Sequence, residues 1–251
     1  MKKINLFFSF IIALAFFISG CKKTDTPYKT DNLIDYMQLQ SGRSITYRLD
    51  STNFTFFGQN TTITSYIIKD VIDTVVADNL GRPSWRVFRY ITDTAYSQPW
   101  ANLETYLITP TLQTIEVDEN NLRYIKLAMP LDNGFSWQGN SYINTIPQTQ
   151  YDIDYSYLDS WNYTYDSIGS PYTVLAGTID STLIVRQQDE ALGDPTDLAH
   201  YSERNYSIEV YGKGIGLIYK DFLHEIYQPP GTSAAGFKVG YGIRLNMIGH
   251  D

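Results

Sequence analysis

The sequence predicts a mainly β chain: a single antiparallel open barrel or sandwich, with little helix beyond a short apolar leader. Three observations carry this. Apolar residues recur at every second position over most of the chain; the segments are parted by turns rich in Gly, Pro, Asn and Asp; and no stretch keeps the apolar period of an amphipathic helix. At 251 residues the chain can bury a core that holds one domain unaided, and its one cysteine leaves no disulfide to form within it.

Taken in order, Met1-Lys2-Lys3 is a basic start, and Ile4 to Ile18 is apolar apart from Asn5 and Ser9. That run is short for a membrane span and suits a signal-peptide core. Ser19-Gly20-Cys21 follows and resembles the lipobox of bacterial lipoproteins, with Ile18 in place of the more usual Leu. The resemblance implies cleavage between Gly20 and Cys21, with a diacylglycerol on the sulfur and an acylated new amino terminus. An ordinary secretory signal would leave that thiol unpaired in an oxidising compartment. The expected organisation is therefore a signal peptide over 1–20, a lipidated cysteine and polar tether over 21–35, and a β-rich domain over 36–251. Lys22 after the acylated cysteine is compatible with release to the outer membrane, lipid-anchored and facing the periplasm or the outside.

Formal net charge is −8, and removal of Lys2 and Lys3 makes the mature chain more acidic still. Nucleic-acid partners are disfavoured, since their binding runs on Lys and Arg neutralising phosphates. Membrane attachment falls to the lipid on Cys21.

Beyond the tether, Ile45, Tyr47 and Leu49 alternate with Thr46, Arg48 and Asp50, and Phe237 to Met247 alternates the same way. Ten further strands are expected near 61–77, 84–92, 104–108, 114–117, 123–128, 136–138, 163–165, 178–187, 206–211 and 216–227. Turn chemistry stands at Asn79–Pro83, Asp118–Asn121, Asp132–Gly134, Gly169–Pro171 and Pro229–Gly231. One or two helical turns are expected after Asp194-Pro195, where Asp can cap and Pro can take the first position. Tyr36–Tyr47 and Leu127–Trp137 echo one another, each placing a polar-Gly turn (Gly42, Gly134) ahead of an aromatic-bearing strand. The echo suggests two sheet-building halves and is too long and too few for a solenoid.

Ala176-Gly177-Thr178, the strand through Leu183-Ile184-Val185, and Val210 to Ile218 together resemble the closing half of a broad group of uncharacterised lipoproteins from Bacteroidota. The resemblance implies a strand-rich envelope protein, in some related shapes an open half-barrel similar to periplasmic carriers of lipids and lipoproteins. It carries no catalytic residue across. Gly212, Gly214 and Gly216 read as alternate glycines on a strand, leaving one face bare; they lack the spacing and following helix of a phosphate cradle.

The chemical inventory is thin. His200, His224 and His250 do not form a metal-binding spacing, and no Gly-x-Ser-x-Gly elbow is present. No cofactor motif appears. Asp152, Asp154, Asp159 and Asp166 read as solvated residues, with weak calcium or acid–base roles as the alternative. Tyr151 to Tyr165 holds six aromatic residues, all at odd positions, so an extended run would put them on one face. Either that face packs on the core, or Tyr155, Tyr157, Trp161 and Tyr163 form an exposed platform for a ligand. A turn at Asp159-Ser160 would split the run. Asp-Ser/Thr triplets such as Asp73-Thr74-Val75 and Asp93-Thr94-Ala95 resemble O-glycosylation sites of exported Bacteroidota proteins. The function expected is a non-catalytic binding or envelope-assembly module for a glycan, lipid or protein. The alternative is a carbohydrate hydrolase using a carboxylate pair.

Overall fold

The computed structural model describes residues 31–147, 149, 154–232 and 234–251. Cys21, Ser19, Gly20 and Asp152 lie outside the described residues. One compact unit runs Asn32–Asp251. It opens on a 3₁₀ turn, Leu33–Tyr36, whose Leu33 and Tyr36 are buried. Packing thus begins inside the polar segment read as tether.

Twelve strands follow: β1 (Ser44–Thr55), β2 (Asn60–Ala77), β3 (Pro83–Asp93), β4 (Ala101–Pro110), β5 (Thr114–Glu119), β6 (Leu122–Ala128), β7 (Ser136–Gln138), β8 (Asn162–Val174), β9 (Gly177–Leu192), β10 (Ser202–Gly212), β11 (Gly216–Gln228) and β12 (Phe237–His250). Each expected strand is present. They form one antiparallel sheet in the order β6-β5-β4-β3-β2-β1-β12-β11-β10-β9-β8-β7. The two halves of the chain are therefore two six-stranded meanders joined where the first strand pairs the last, with Ile45 opposite His250 and Leu49 opposite Leu245. Gly42 and Gly134 each stand two residues ahead of the opening strand of a half, at φ of +85° and +82°. A Cβ would be strained at both. The internal echo of the sequence marks these two entries.

The sheet curls until its outer edges nearly meet. The Ile125 amide donates to the Gly139 carbonyl at 2.8 Å, and the Trp137 indole donates to the Ile125 carbonyl at 2.8 Å. The Tyr165 hydroxyl donates to the Ala128 carbonyl and accepts from its amide. The result is a nearly closed barrel, more closed than the half-barrel of the resemblance. Gly139 has no Cβ because one would run into the Tyr163 ring.

In an up-and-down meander the turns alternate between two ends. The near end carries Leu33–Tyr36, the C-terminus and the β2–β3, β4–β5, β6–β7, β8–β9 and β10–β11 turns. Its members are tied together: Gly214 donates to the Asp35 carbonyl at 2.7 Å, and Gln38 Nε2 donates to the Asp251 carbonyl at 2.6 Å. The far end carries the remaining turns. Gly212, Gly214 and Gly216 form the β10–β11 turn, with Gly214 at its tip at φ +74°. They are not alternate glycines within a strand, as the sequence suggests.

Three other expectations are corrected. Gly169-Ser170-Pro171 does not end a strand: β8 runs through it as a bulged edge, with register shifts at Ile168/Ser170 and Ser170/Tyr172. Asp194-Pro195 starts no helix, because the Asp194 carboxylate accepts from the Thr196 amide and hydroxyl and closes a local turn instead. The aromatic run is not extended, being folded by a 3₁₀ turn at Ser156–Leu158 and by Ser160 at φ +60°.

The outer wall faces water. Arg48–Asp50, Arg186–Asp166 and Arg244–Asp221 are ion pairs along exposed strand faces, where a membrane-spanning barrel would present an apolar band.

Candidate functional site: the lumen and the far rim

The lumen is polar at its centre. Arg89, on β3, donates to both oxygens of Asp70 at 2.7 and 2.8 Å, and through Nη1 to Glu104 at 2.5 Å and Glu119 at 2.9 Å. Tyr106 donates to Asp70 at 2.9 Å. Across the lumen, Lys126 and Tyr211 donate to Glu209 at 2.7 and 2.6 Å. Lys220 stands 3.7 Å from Glu209 and 3.9 Å from Glu119, joining the two groups.

Burial opposes ionisation of Glu119, yet the positive charges of Lys220, Arg89 and Lys126 outweigh it and hold its carboxyl at about 2. Glu209 is likewise pulled below the ordinary range by Lys126 and Lys220 despite its burial. Glu104 goes the other way: burial, aided by the charge of Glu119, raises it. Two carboxyls pushed apart in acidity are what an acid–base pair needs. Here Arg89 sits between them and hydrogen-bonds both, leaving no place for a glycosidic bond.

Two small cavities flank this wall. One, of about 80 Å³, lies toward the near end among Met37, Ile45, Ile72 and Leu245. The other, of about 100 Å³, is walled by Tyr157, Trp161, Tyr163 and Phe222. Both fall well short of the ~300–1,000 Å³ of ordinary ligand pockets. Among the described residues these two cavities are smaller than the roomy apolar interior that the resemblance implies for a lipid carrier, and aromatic rings and ion-paired side chains line them.

Of the expected platform residues, Trp161 and Tyr163 are 2% and 1% exposed and cannot form an open platform. The Trp161 indole donates to the Tyr157 carbonyl, and the Tyr163 hydroxyl to Asn140. Tyr155 and Tyr157 are half-buried, with Tyr157 stacked on His224 at 4.0 Å between ring centres. His224 also bonds Asn205, and burial lowers its pKa by disfavouring the charged imidazolium. His200 pairs with Asp197. Asp154 and Asp159 are exposed, and Asp166 pairs with Arg186. No group of three metal-ligating side chains occurs among the described residues. Thr74 and Thr94 of the Asp-Thr triplets are exposed.

The far rim carries what sequence reading missed. At the β1–β2 turn, Phe56 and Phe57 adopt φ of +53° and +56° and are 67% and 90% exposed. At the β3–β4 turn, Tyr96 adopts φ +54° and packs edge-on against exposed Trp100. The Asp93 carboxylate fixes that turn by accepting from the Ala95, Ser97 and Gln98 amides. Exposed Phe237 starts β12 beside the β1–β2 turn, where the Lys238 amide donates to the Gly58 carbonyl at 2.8 Å. Among the described residues, the other non-glycine positive-φ positions are Asn120, Asn121 and Ser160, and Asn tolerates that region. Bulky rings do not. A left-handed residue with a Cβ costs roughly 1–2 kcal/mol, and these three rings gain no core burial in return. The signal was available only as Phe56-Phe57-Gly58, aromatic residues where turn formers are expected.

Fold and site together define an antiparallel up-and-down barrel with a filled lumen and an aromatic rim. No protein-family profile matches the chain, and no curated protein does. Two solved structures are similar in trace. One, from Bacteroides fragilis, is described as exported and YmcC-like in fold; it has 9% identity and a TM-score of 0.40, with 84% of this chain and 96% of that one covered. The other, from Parabacteroides distasonis, is described as a lipoprotein; it has 10% identity and a TM-score of 0.34, with 86% and 98% covered.

Proposed function

We propose that this protein is a non-catalytic, lipid-anchored binding module of the bacterial cell envelope, held at the outer membrane by acylation of Cys21 and engaging a protein partner through its far rim. The reading of Cys21 is supported by the basic start, the apolar run and Ser19-Gly20-Cys21. The binding role is carried by the exposed rings at left-handed positions 56, 57 and 96, since strain without burial is retained where a contact needs it. Phe56 and Phe57 carry no polar rim atom, neither the hydroxyl of Tyr nor the indole N–H of Trp, with which to address a sugar, and their turn therefore favours a protein over a glycan.

The experiment is site-specific photo-crosslinking in the native host with the reactive group at Phe57, against a control at exposed Arg48 on the outer wall midway along β1. One discrete adduct at 57, absent at 48 and lost on digestion with protease, supports the reading. A protease-resistant, glycosidase-sensitive adduct replaces the protein partner with a glycan. No adduct at 57, or equal adducts at both sites, overturns the rim as a binding surface.

A further inference from the structure

The near rim has a character of its own. Three of its turns present a leucine at the tip: Leu80 in β2–β3 is 73% exposed, Leu112 in β4–β5 is 93% exposed and Leu175 in β8–β9 is 60% exposed. Ile34, in the opening 3₁₀ turn at the same end, is half exposed. Leucine is not a turn former, and neither the Asn79-Leu80-Gly81 bend nor the Thr111–Thr114 turn needs one for its backbone. Scattered exposed leucines call for no explanation. These share one end of the barrel, and it is the end at which the chain leaves toward Cys21.

We propose that the near rim rests on the bilayer, with Leu80, Leu112 and Leu175 entering the boundary between headgroups and acyl chains. This inference builds on the acylation of Cys21 proposed above. Asn32 is eleven residues on from Cys21, so the lipidated sulfur and the start of the domain are at most about 40 Å apart. A lipid at Cys21 therefore keeps the near rim at high local concentration beside the membrane. The far rim stands roughly 30 Å further out, the height of strands as long as β1 at a usual barrel tilt. The contact is apolar. An acidic chain gains nothing from anionic headgroups, so the contact does not depend on them.

The test uses the full lipoprotein in phosphatidylcholine vesicles containing nitroxide-labelled acyl chains. Leu112→Cys, Leu175→Cys and, at the far rim, Phe57→Cys are each labelled with an environment-sensitive fluorophore; a thioether at Cys21 does not compete. Unchanged melting shows that each variant is folded. Blue-shifted emission and several-fold stronger quenching at 112 and 175 than at 57 support the inference. Vesicle flotation with all three labels equally polar and unquenched overturns the rim contact and leaves the anchor standing. Failure to float, with label entering the parent protein at Cys21, removes the anchor and the rim contact with it. Insensitivity of the shift to added phosphatidylglycerol is expected; a contact appearing only with anionic lipid overturns the apolar mode.

Discussion

Arg89 pairs with three carboxylates at once, and without it Asp70, Glu104 and Glu119 would lose their shared counter-charge in a space largely closed to water. Arg89→Met is expected to cost about 3–5 kcal/mol, and so to lower the melting temperature by roughly 10 °C, as circular dichroism would record. The same group sets the acid response. Glu119 is held at about 2 when folded, below its unfolded value of about 4.3, so its contribution is fully present above pH 5 and lost as pH falls through 2. Asp78 behaves alike: burial raises its carboxyl, but hydrogen bonds from the Arg82 backbone and guanidinium and the Leu80 amide hold it at about 2. Glu104 is raised and has the opposite sign, favouring the fold once protonated. The depressed groups prevail, so the melting temperature should fall from about pH 5 to pH 2. In Arg89→Met that fall should be shallower, because Glu119 has lost a counter-charge; an unchanged profile would refute the assignment. None of this network was legible in sequence. Alternation shows which residues share a face, but Lys126 meets Glu209 across 83 residues, and β10 buries Asn205, Ser207 and Glu209, the face that polarity alone would send to solvent.

At the scale of elements, the strands were legible because β-branched and aromatic residues alternate with polar ones and the turns carry their usual residues. Ends were less so. β8 was expected to stop near Tyr165, since Gly169-Ser170-Pro171 has the composition of a turn, but an edge strand accommodates Gly and Pro as bulges. The far-rim turns show the converse case, in which backbone preference is overridden. Phe57→Gly relieves a left-handed Cβ and is expected to raise stability by about 1 kcal/mol, measurable by urea unfolding, while abolishing the crosslink made from a reactive group placed at the neighbouring Phe56. A loss of stability would mean that the ring packs in the free protein, and strain would no longer support a binding role.

For the whole molecule, the β1–β12 pairing makes the last strand the partner of the first. Removal of residues 237–251 would leave Tyr47 and Leu49 on an open edge and divide the remaining eleven strands into meanders joined only at the β6–β7 side. Such a chain is expected to lose cooperative melting altogether and to bind hydrophobic dyes. A sharp transition in the truncated protein would show that each meander folds alone. The seam also bears on the export that the proposed anchoring at Cys21 requires. A chain crossing a membrane amino-terminus first delivers β1 early and its second neighbour last, after nearly two hundred residues. During all of that time the strand offers unpaired amides and carbonyls to anything nearby. On that route the sheet is completed only once β12 has crossed, and exposure to chaperones and proteases is set by how fast residues 237–250 follow β1.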